Sequence, residues 1–314
     1  MASFFSSSYS LLSPRRLAQI LLLGALTFPK VQSLPLAPNL LPRQSITALS
    51  TTQIAAFRPF SHYASTAYCQ PSQTLTWSCG ANCDANPTFE PTASGGDGSS
   101  VQFWYVGFDP TLQTVIVAHQ GTDPSKIQSL LTDGDFFLDN LDSTLFPGVS
   151  SDIKVHNGFA DEHAKTATSI LAAVQTTMQK HSTNDITIVG HSLGAALALL
   201  EGVYLPLFIP GAKFTTIGYG MPRVGNAAFA DYVDSHVTLT HVNNLQDLVP
   251  TLPGRFLGFT HANGEKHIQP DLSWLDCPGH DNTDSRCIVG DVSNIFEGDI
   301  SNHDGPYDTV TMGC

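Results

Sequence analysis

The chain has 314 residues, of which 42% are hydrophobic and only 13% are charged. Ordinary domains carry about 25% charged residues, and disordered chains are rich in charge and poor in apolar residues, so this composition predicts a globular protein. The charged set is acidic, with 27 Asp and Glu against 14 Lys and Arg and a formal net charge of −13. Because a nucleic acid is bound by a basic face, we expect no nucleic-acid partner.

The N-terminal segment 1–33 has the organisation of a secretory signal peptide. It opens without acidic residues, reaches two arginines, and continues in an apolar run of about twelve residues from Leu17 to Phe28. A bilayer span takes about 20 residues, so this run is too short to cross a membrane but long enough for a signal-peptide core. Val31 and Ser33 suit the −3 and −1 positions, which predicts cleavage after Ser33 and a secreted, extracellular protein. An amphipathic surface helix is the alternative, and no later stretch predicts a transmembrane segment.

Residues 34–51 are rich in proline and predict a linker or propeptide before one catalytic domain at residues 52–314. All six cysteines follow the expected cleavage site, and an even number in an oxidising compartment predicts three disulfides. Close spacing favours the pairs Cys79–Cys83 and Cys277–Cys287, which leaves Cys69–Cys314. A zinc site is the alternative, but the chain has no C-x-x-C and no H-E-x-x-H, so no metal is expected.

The hydrophobic pattern predicts alternating strands and helices along this domain. The expected helices are Gln53–Tyr68, Phe159–Lys180, Ser192–Tyr204 and Asn226–His236. The expected strands are Val101–Phe108, Thr114–His119, Asp185–Gly190, Phe214–Tyr219 and Thr238–Asn243. A loop-rich stretch over 69–100 and a hairpin over Phe256–Ile268, turning at Asn263-Gly264, complete the prediction. Repeated strand–helix–strand order predicts an α/β fold with a mostly parallel central sheet and helices on both faces.

One turn in this pattern carries chemistry. Gly190-His191-Ser192-Leu193-Gly194 matches G-x-S-x-G, with a β-branched strand before it and an Ala/Leu-rich helix after it. A serine on a sharp strand-to-helix turn is the nucleophile elbow of α/β-hydrolases, in which the glycines make room for a strained backbone. The context predicts that Ser192 is a nucleophile at a helix N-terminus, where the helix dipole favours a developing anion.

A serine nucleophile needs a base, and the base needs an orienting carboxylate, in the chain order Ser, Asp, His for this architecture. Asp247 follows the predicted strand Thr238–Asn243 and lies at the sheet edge where catalytic groups gather, so we predict that it is the acid. Of the four later histidines, His303 in a polar loop is the first candidate for the base and His261 the second. His261 and His267 lie in the predicted hairpin, which favours a structural role, and His280 lies inside the Cys277–Cys287 loop.

The oxyanion hole needs two N–H donors. Leu193, directly after the nucleophile, is expected to supply one of them, and the loop after an early strand supplies the other in this architecture. Gln120-Gly121-Thr122 follows the predicted strand Thr114–His119, which makes Thr122 the second candidate. A simple turn is the alternative interpretation of this segment.

Five short motifs occur in a familiar order. They are Gly121-Thr122, Val155–Phe159, Gly190–Gly194, Gly218–Asn226 and Asp247-x-Val249-Pro250. Together they resemble the fungal class 3 lipases, secreted α/β-hydrolases that include filamentous-fungal triacylglycerol lipases and related feruloyl esterases. The resemblance covers about residues 60–314 and implies the α/β-hydrolase fold. It implies that Ser192, Asp247 and His303 form the catalytic triad and that Thr122 and Leu193 are the oxyanion donors.

The resemblance implies carboxylic-ester hydrolysis without a cofactor, with triacylglycerol as the first expected substrate. Alternatives are a feruloyl or other soluble-ester esterase, a lipase that prefers mono- and diacylglycerols, and a non-catalytic lipid-binding protein on a hydrolase scaffold. The family also implies a lid after the oxyanion loop. Residues 123–147 contain apolar side chains at helical spacing, from Ile127 to Leu138, and are the candidate lid. Transient contact with a lipid–water interface would depend on apolar residues, since the protein is acidic.

Overall fold

Among the residues that the structure describes, nine strands form one central sheet. The computed structural model describes residues 45–122 and 137–314. The strands are β1 Thr47–Ala48, β2 Glu90–Gly95, β3 Trp104–Asp109, β4 Thr114–His119, β5 Leu138–Asn140, β6 Lys154–His156, β7 Asp185–His191, β8 Lys213–Tyr219, β9 Gly225–Asn226, β10 Thr238–Asn244, β11 Phe259–Thr260, β12 Glu265–Ile268 and β13 Trp274–Cys277. The helices are α1 Thr51–Ala55, α2 Arg58–Thr66, α3 Pro71–Thr76, α4 Ala81–Asp84, α5 Asn157–Ala164, α6 Ala167–His181, α7 Leu193–Phe208, α8 Ala227–His236 and α9 Ile288–Asp291.

The strand order in the large sheet is β1-β13-β12-β10-β8-β7-β4-β3-β2. Its five central strands, from β12 to β4, run parallel to one another, and antiparallel pairs close both edges. The parallel centre is buried on both faces, as the burial of successive residues along β4 and β7 shows. Both strands have the continuous β-branched runs that are typical of such a position. This confirms the predicted α/β sheet. Four short strands form a second sheet in the order β11-β9-β6-β5, which the sequence did not predict.

Helix α7 lies at the centre of the larger core. It is apolar except for Glu201 and Tyr204 and is buried from Gly194 to Leu205, as expected for a helix packed between a sheet and other helices. Its neighbours are β7 and β8 on one side and α5 and α6 on the other. A smaller core on the opposite side of the sheet contains Tyr63, Tyr219 and Trp274. The sheet is therefore covered on both faces, and the buried helix α7 begins directly after the turn at Ser192.

Several predicted elements differ from the structure. The expected helix Gln53–Tyr68 is two helices, α1 and α2, because Pro59 enters the first turn of α2. The expected helix Phe159–Lys180 is likewise divided between α5 and α6. The predicted loop over 69–100 contains α3, α4 and the edge strand β2, whose polar sequence has no apolar alternation. The folded part also begins before residue 52, since β1 pairs with β13 and Ser50 caps α1.

The predicted hairpin over Phe256–Ile268 is wrong. Phe259–Thr260 pairs with β9 in the small sheet, whereas β12 runs parallel to β10 in the large one. Asn263-Gly264 therefore connects two sheets, and Gly264 has φ +118°, with its α-hydrogen directed at the backbone carbonyl of Leu239, where a Cβ would not fit. The true hairpin pairs β12 with β13.

Three further predictions concern segments that the structure describes only in part. The predicted signal peptide 1–33 lies outside the described residues, and so do residues 34–44 of the predicted linker. Of the candidate lid 123–147, residues 123–136 lie outside as well. Leu138, expected to continue a helix, instead begins strand β5, which pairs with β6. Within residues 45–122 and 137–314, none of the helices has the length and apolar character of a membrane span.

Candidate active site

Ser192 occupies the sharp turn between β7 and α7. Its backbone has φ 57° and ψ −127°, a strained conformation for a residue with a side chain, and its N–H donates to the Tyr219 carbonyl at 2.9 Å. A Cβ on Gly190 would overlap the Gly194 carbonyl, and one on Gly194 would overlap the His119 carbonyl. The two glycines of the motif are therefore required by space. The structure shows the predicted elbow, with Ser192 itself almost fully buried.

Asp247 and His303 meet at hydrogen-bond distance. His303 Nδ1 lies 2.8 Å from Asp247 Oδ2, and both side chains are buried. The other oxygen, Asp247 Oδ1, accepts the N–H of Val249 at 2.9 Å, so the carboxylate is held on both sides. His303 Nε2 has no hydrogen-bond partner among the described residues. With Nδ1 donating to the carboxylate, Nε2 is the nitrogen left to exchange a proton with a reacting group.

The loops that carry these two residues are tied together. Asp299 N–H donates to the Gln246 carbonyl at 2.7 Å, and the Asn244 amide donates to the Asn302 carbonyl at 2.9 Å. His303 directly follows a short 3₁₀ helix, Ile300–Asn302, whose N-terminus is capped by the Asp299 side chain. These bonds bring a loop 56 residues further along the chain onto the end of β10.

The imidazole of His303 lies against the serine elbow. A Cβ on Gly220, which follows β8, would come within 2.8 Å of His303 Cε1, and the ring centroids of His191 and His303 are 4.4 Å apart. Since Ser192 is bonded through its N–H to Tyr219, the nucleophile, acid and base candidates all lie at the carboxyl ends of β7, β8 and β10. This is the edge at which ligands bind in open α/β sheets.

The candidate oxyanion residues lie on two sides of Ser192. A Cβ on Gly121 would come within 3.1 Å of Ser192 Cβ and would overlap the hydroxyl of Tyr68, so this glycine passes directly beside the nucleophile. Thr122 is the next residue and is half-buried. Leu193 begins α7, where the first N–H groups of a helix have no intrahelical acceptor. The turn thus presents backbone donors at the positive end of the α7 dipole.

The three other histidines after Asp247 are engaged elsewhere. His261 Nε2 donates to the Pro250 carbonyl at 2.7 Å, its ring stacks on His241 at 4.9 Å, and burial lowers its pKa to about 3. The ring nitrogens of His267 lie against two backbone carbonyls, and His280 bonds to Asp234 at 2.8 Å. Of the four, His303 is therefore the one placed beside both Asp247 and the elbow.

Two polar groups near this site were not singled out by sequence reasoning. Tyr307 Oη donates to the His303 carbonyl at 2.8 Å, and the Tyr68 hydroxyl lies 2.7 Å from His191 Nδ1. His191 directly precedes the nucleophile, and its Nε2 is 2.9 Å from the same His303 carbonyl. The ring is fully buried, and burial together with nearby His303 lowers its pKa well below the usual value. Tyr68 is distant in sequence, so only the fold reveals it.

The three disulfides are those that the spacing favours: Cys69–Cys314, Cys79–Cys83 and Cys277–Cys287. The first joins the residue after Tyr68 to the segment that follows His303. Within the described residues, Glu265 with Cys277 and Cys287 is the one cluster with metal-ligand spacing. Its two sulfurs are bonded to each other, so they offer no thiolate to an ion.

A parallel-centred sheet with a strained serine turn and an Asp–His pair at its carboxyl edge is the architecture of the α/β-hydrolase fold. The model of the class 3 lipase family matches residues 116–257, which include the elbow and Asp247. Over residues 116–257 the chain is therefore similar to the class 3 lipase family.

Two curated relatives are secreted mono- and diacylglycerol lipases of Malassezia. LIP2 of Malassezia restricta is 30% identical over 62% of this chain, and MDL2 of Malassezia globosa is 32% identical over 64%. The matches span 61% and 66% of those relatives, so less than two thirds of their length is covered. Among solved structures, lipase II of Rhizopus niveus is 27% identical with a TM-score of 0.74, covering 85% of this chain and 99% of that one. The triacylglyceride lipase of Rhizomucor miehei is 25% identical with the same TM-score, covering 85% and 98%.

Proposed function

We propose that this protein is a secreted serine hydrolase of carboxylic esters that acts on acylglycerols. The observation that carries the proposal is the buried 2.8 Å contact between His303 Nδ1 and Asp247 Oδ2, with His303 Nε2 left for proton transfer beside the Ser192 elbow. The predicted signal peptide and the three disulfides support secretion, as do Malassezia relatives that are named secreted lipases.

In the proposed reaction, Ser192 Oγ attacks the ester carbonyl while His303 Nε2 accepts its proton. Asp247 holds the Nδ1–H tautomer of His303 and stabilises the imidazolium that forms. The backbone N–H groups of Leu193 and Thr122 bind the tetrahedral oxyanion, and loss of one such donor typically lowers kcat by about 10²–10³-fold. His303 then returns the proton to the leaving alcohol, and the same residues activate water to release the acid.

Exposed apolar side chains on the segments that follow Asp247 and precede His303 support a lipid substrate. Phe256 is 90% exposed and Phe296 is 91% exposed, which is unusual for phenylalanine on a water-soluble surface. The segments that carry them meet, because Phe256 and Ile295 line one cavity. Ile300, also exposed, lies three residues before His303. Because the protein is acidic, contact with a lipid–water interface would depend on these apolar groups.

The glyceride class has two candidates. Triacylglycerol is the first expectation from the family, and structures with a TM-score of 0.74 include enzymes named triacylglycerol lipases. Mono- and diacylglycerols are the second candidate, because curated relatives at 30–32% identity carry that specificity in their names. Titration of fatty acid released from matched mono-, di- and trioleoylglycerol emulsions separates the two. Faster turnover of a feruloyl ester than of any glyceride would contradict both.

A fluorophosphonate probe tests the enzyme itself. We expect covalent labelling of the wild-type protein and none of the Ser192→Ala variant, because the probe reacts with an activated serine. The Ser301→Ala variant is the matched control, since Ser301 is an exposed serine that bonds to Asp299. A folded wild type that is neither labelled nor active on any ester would instead favour a non-catalytic lipid-binding protein.

A further inference from the structure

A chain of buried hydrogen bonds connects Tyr68 to the backbone of His303 through His191. The Tyr68 hydroxyl is 2.7 Å from His191 Nδ1, and His191 Nε2 is 2.9 Å from the His303 carbonyl oxygen. We propose that His191, oriented by Tyr68, is a positioning residue that holds His303 in place for proton transfer. The inference rests on the proposed function, in which His303 is the base.

The partners determine the direction of both hydrogen bonds. A carbonyl oxygen only accepts, so Nε2 of His191 carries the proton and donates it to His303. Nδ1 of His191 is then unprotonated and acts as an acceptor, so the Tyr68 hydroxyl must donate to it. The ring is thereby fixed in one neutral tautomer and one orientation. Burial of His191 favours the same neutral form.

This arrangement restrains the base from the serine side. Tyr307 Oη donates to the same His303 carbonyl at 2.8 Å, so both acceptor positions of that oxygen are filled. His191 belongs to β7 and immediately precedes Ser192, whereas His303 lies in a loop more than a hundred residues later. The hydrogen bond from His191 Nε2–H to the His303 carbonyl therefore directly connects the element that carries the nucleophile to the loop that carries the base.

Neutrality of His191 matters because of its distance from His303. The two ring centroids are 4.4 Å apart. During the reaction His303 becomes positively charged, and a second cation at that distance would oppose the charge. A ring held in the neutral tautomer by two hydrogen bonds donates to the His303 backbone without adding charge. An ordinary buried core histidine would stabilise the fold but would not affect proton transfer.

Two substitutions at His191 separate its two hydrogen bonds. In His191→Gln the side-chain amide nitrogen can replace the Nε2 donor, and in His191→Asn the side-chain oxygen can replace only the Nδ1 acceptor. We expect His191→Asn to lower kcat on a short-chain nitrophenyl ester by about 10- to 100-fold, since small misplacements of a base have costs of that order. KM should stay within about twofold. His191→Gln should recover most of the loss.

The pH profile distinguishes positioning from folding. In His191→Asn the loosened His303 should contact Asp247 less closely, which disfavours the protonated imidazole. The acidic limb of kcat/KM should therefore move to lower pH, and it should return in His191→Gln. A purely structural role predicts a lower melting temperature with an unchanged profile in the molecules that remain folded.

Tyr68→Phe removes only a hydroxyl and provides a second, milder test. We expect a kcat loss of about threefold to tenfold, and no further loss when the change is added to His191→Asn, because Tyr68 acts through the donor that this variant lacks. Tyr105→Phe is the matched control. Tyr105 is also fully buried and donates to a backbone carbonyl, that of Tyr63 at 2.7 Å, but it lies on β3, two strands away from β7 in the sheet. It should lower stability and leave kcat unchanged.

The outcomes separate this inference from the proposed function. If the wild type hydrolyses esters and His191→Asn, folded by circular dichroism, has wild-type kcat and pH profile, the positioning role is wrong. If His191→Asn does not fold, Tyr68→Phe decides, and wild-type kcat in that variant overturns the role. Equal losses in Tyr68→Phe and Tyr105→Phe would also overturn it. A wild type that fluorophosphonate does not label would overturn the proposed function and this inference with it.

Discussion

The disulfide Cys69–Cys314 should contribute far more to stability than the other two. It closes a loop with a sequence separation of 245 residues, against 10 for Cys277–Cys287 and 4 for Cys79–Cys83. In the chain-entropy description, a crosslink lowers the entropy of the unfolded chain by an amount that grows with the logarithm of loop length. This gives contributions at 25 °C of about 5.5, about 2.7 and about 1.9 kcal/mol, in the same order.

The assay is equilibrium unfolding in guanidinium chloride for three variants, each with one cysteine pair replaced by serine. We expect the free energy of unfolding to fall most for the Cys69/Cys314 pair and least for Cys79/Cys83, with a difference between them of about 3.6 kcal/mol. The two short-loop variants serve as controls for the loss of cysteine itself. Equal losses in all three variants, or the largest loss at Cys79/Cys83, would refute the loop-length reasoning.

The Cys69/Cys314 variant has a second expected effect, on catalysis. Cys69 follows Tyr68, and Cys314 ends the segment that contains His303 and Tyr307. In the folded fraction, we expect kcat on a soluble ester to fall, because this bond joins the segment of Tyr68, which contacts His191, to the segment of Tyr307. His191 and Tyr307 are the two partners of the His303 carbonyl. Wild-type kcat per folded molecule would show that packing alone keeps His303 in place. The Cys79/Cys83 variant should retain kcat.

Three further predictions follow from buried charges and the exposed surface. Arg223→Met should lower the free energy of unfolding by about 3–5 kcal/mol, because it leaves buried Asp281 without its 2.7 Å partner. In thermal denaturation, the double variant Arg223→Met with Asp281→Asn should recover part of this loss. No recovery would contradict the charge argument. Burial raises the pKa of Glu265 to about 8, so between pH of about 4.5 and about 8 the folded state holds a proton that the unfolded state has lost, and stability should fall as pH rises through this range. In melting curves, Glu265→Gln should make stability depend less on pH. An unchanged pH dependence would exclude Glu265 as its source. The double variant Phe256→Ser with Phe296→Ser should reduce activity on a triglyceride emulsion at least severalfold, because both exposed side chains are expected to contact the interface. The kcat on a soluble ester should stay unchanged. Equal losses on both substrates would indicate a fold defect instead.

The centre of the fold was predictable because it is encoded locally. Strand β4 matches its predicted bounds, and β7 and β8 differ from theirs by one residue, since continuous β-branched runs between turns have few other structures available. The periphery was not predictable in this way. Strand β2 has the polar sequence of residues 90–95 and exists because β3 offers it a partner. The failed hairpin has the same cause, as β12 is placed by β10 and not by its neighbours in the chain.

The candidate site shows the same difference between residues that are encoded locally and residues that are placed by distant parts of the chain. Ser192 and its two glycines could be recognised from five residues, because a strained turn has to be accommodated by its immediate neighbours. Asp247 follows from its place after a strand. From the sequence, His261 was the second candidate for the base after His303. In the structure, His261 bonds to the Pro250 carbonyl instead. No local pattern encodes the approach of a loop to a side chain that is distant in the sequence, so the resemblance to the lipases provided what periodicity could not.

This division predicts where the site is vulnerable to substitution. Changes that damage the elbow should lie within it, since Gly190 and Gly194 touch backbone atoms of their own turn and of β4. Changes that displace His303 can lie anywhere among its distant supports, such as Tyr68 or Cys314. A scan of variants sorted by kcat at unchanged stability should therefore find elbow positions next to one another in the sequence and His303-related positions scattered through it. Scattered positions that cluster in space around the His303 carbonyl are the expected result, and scattered positions without that clustering would contradict it.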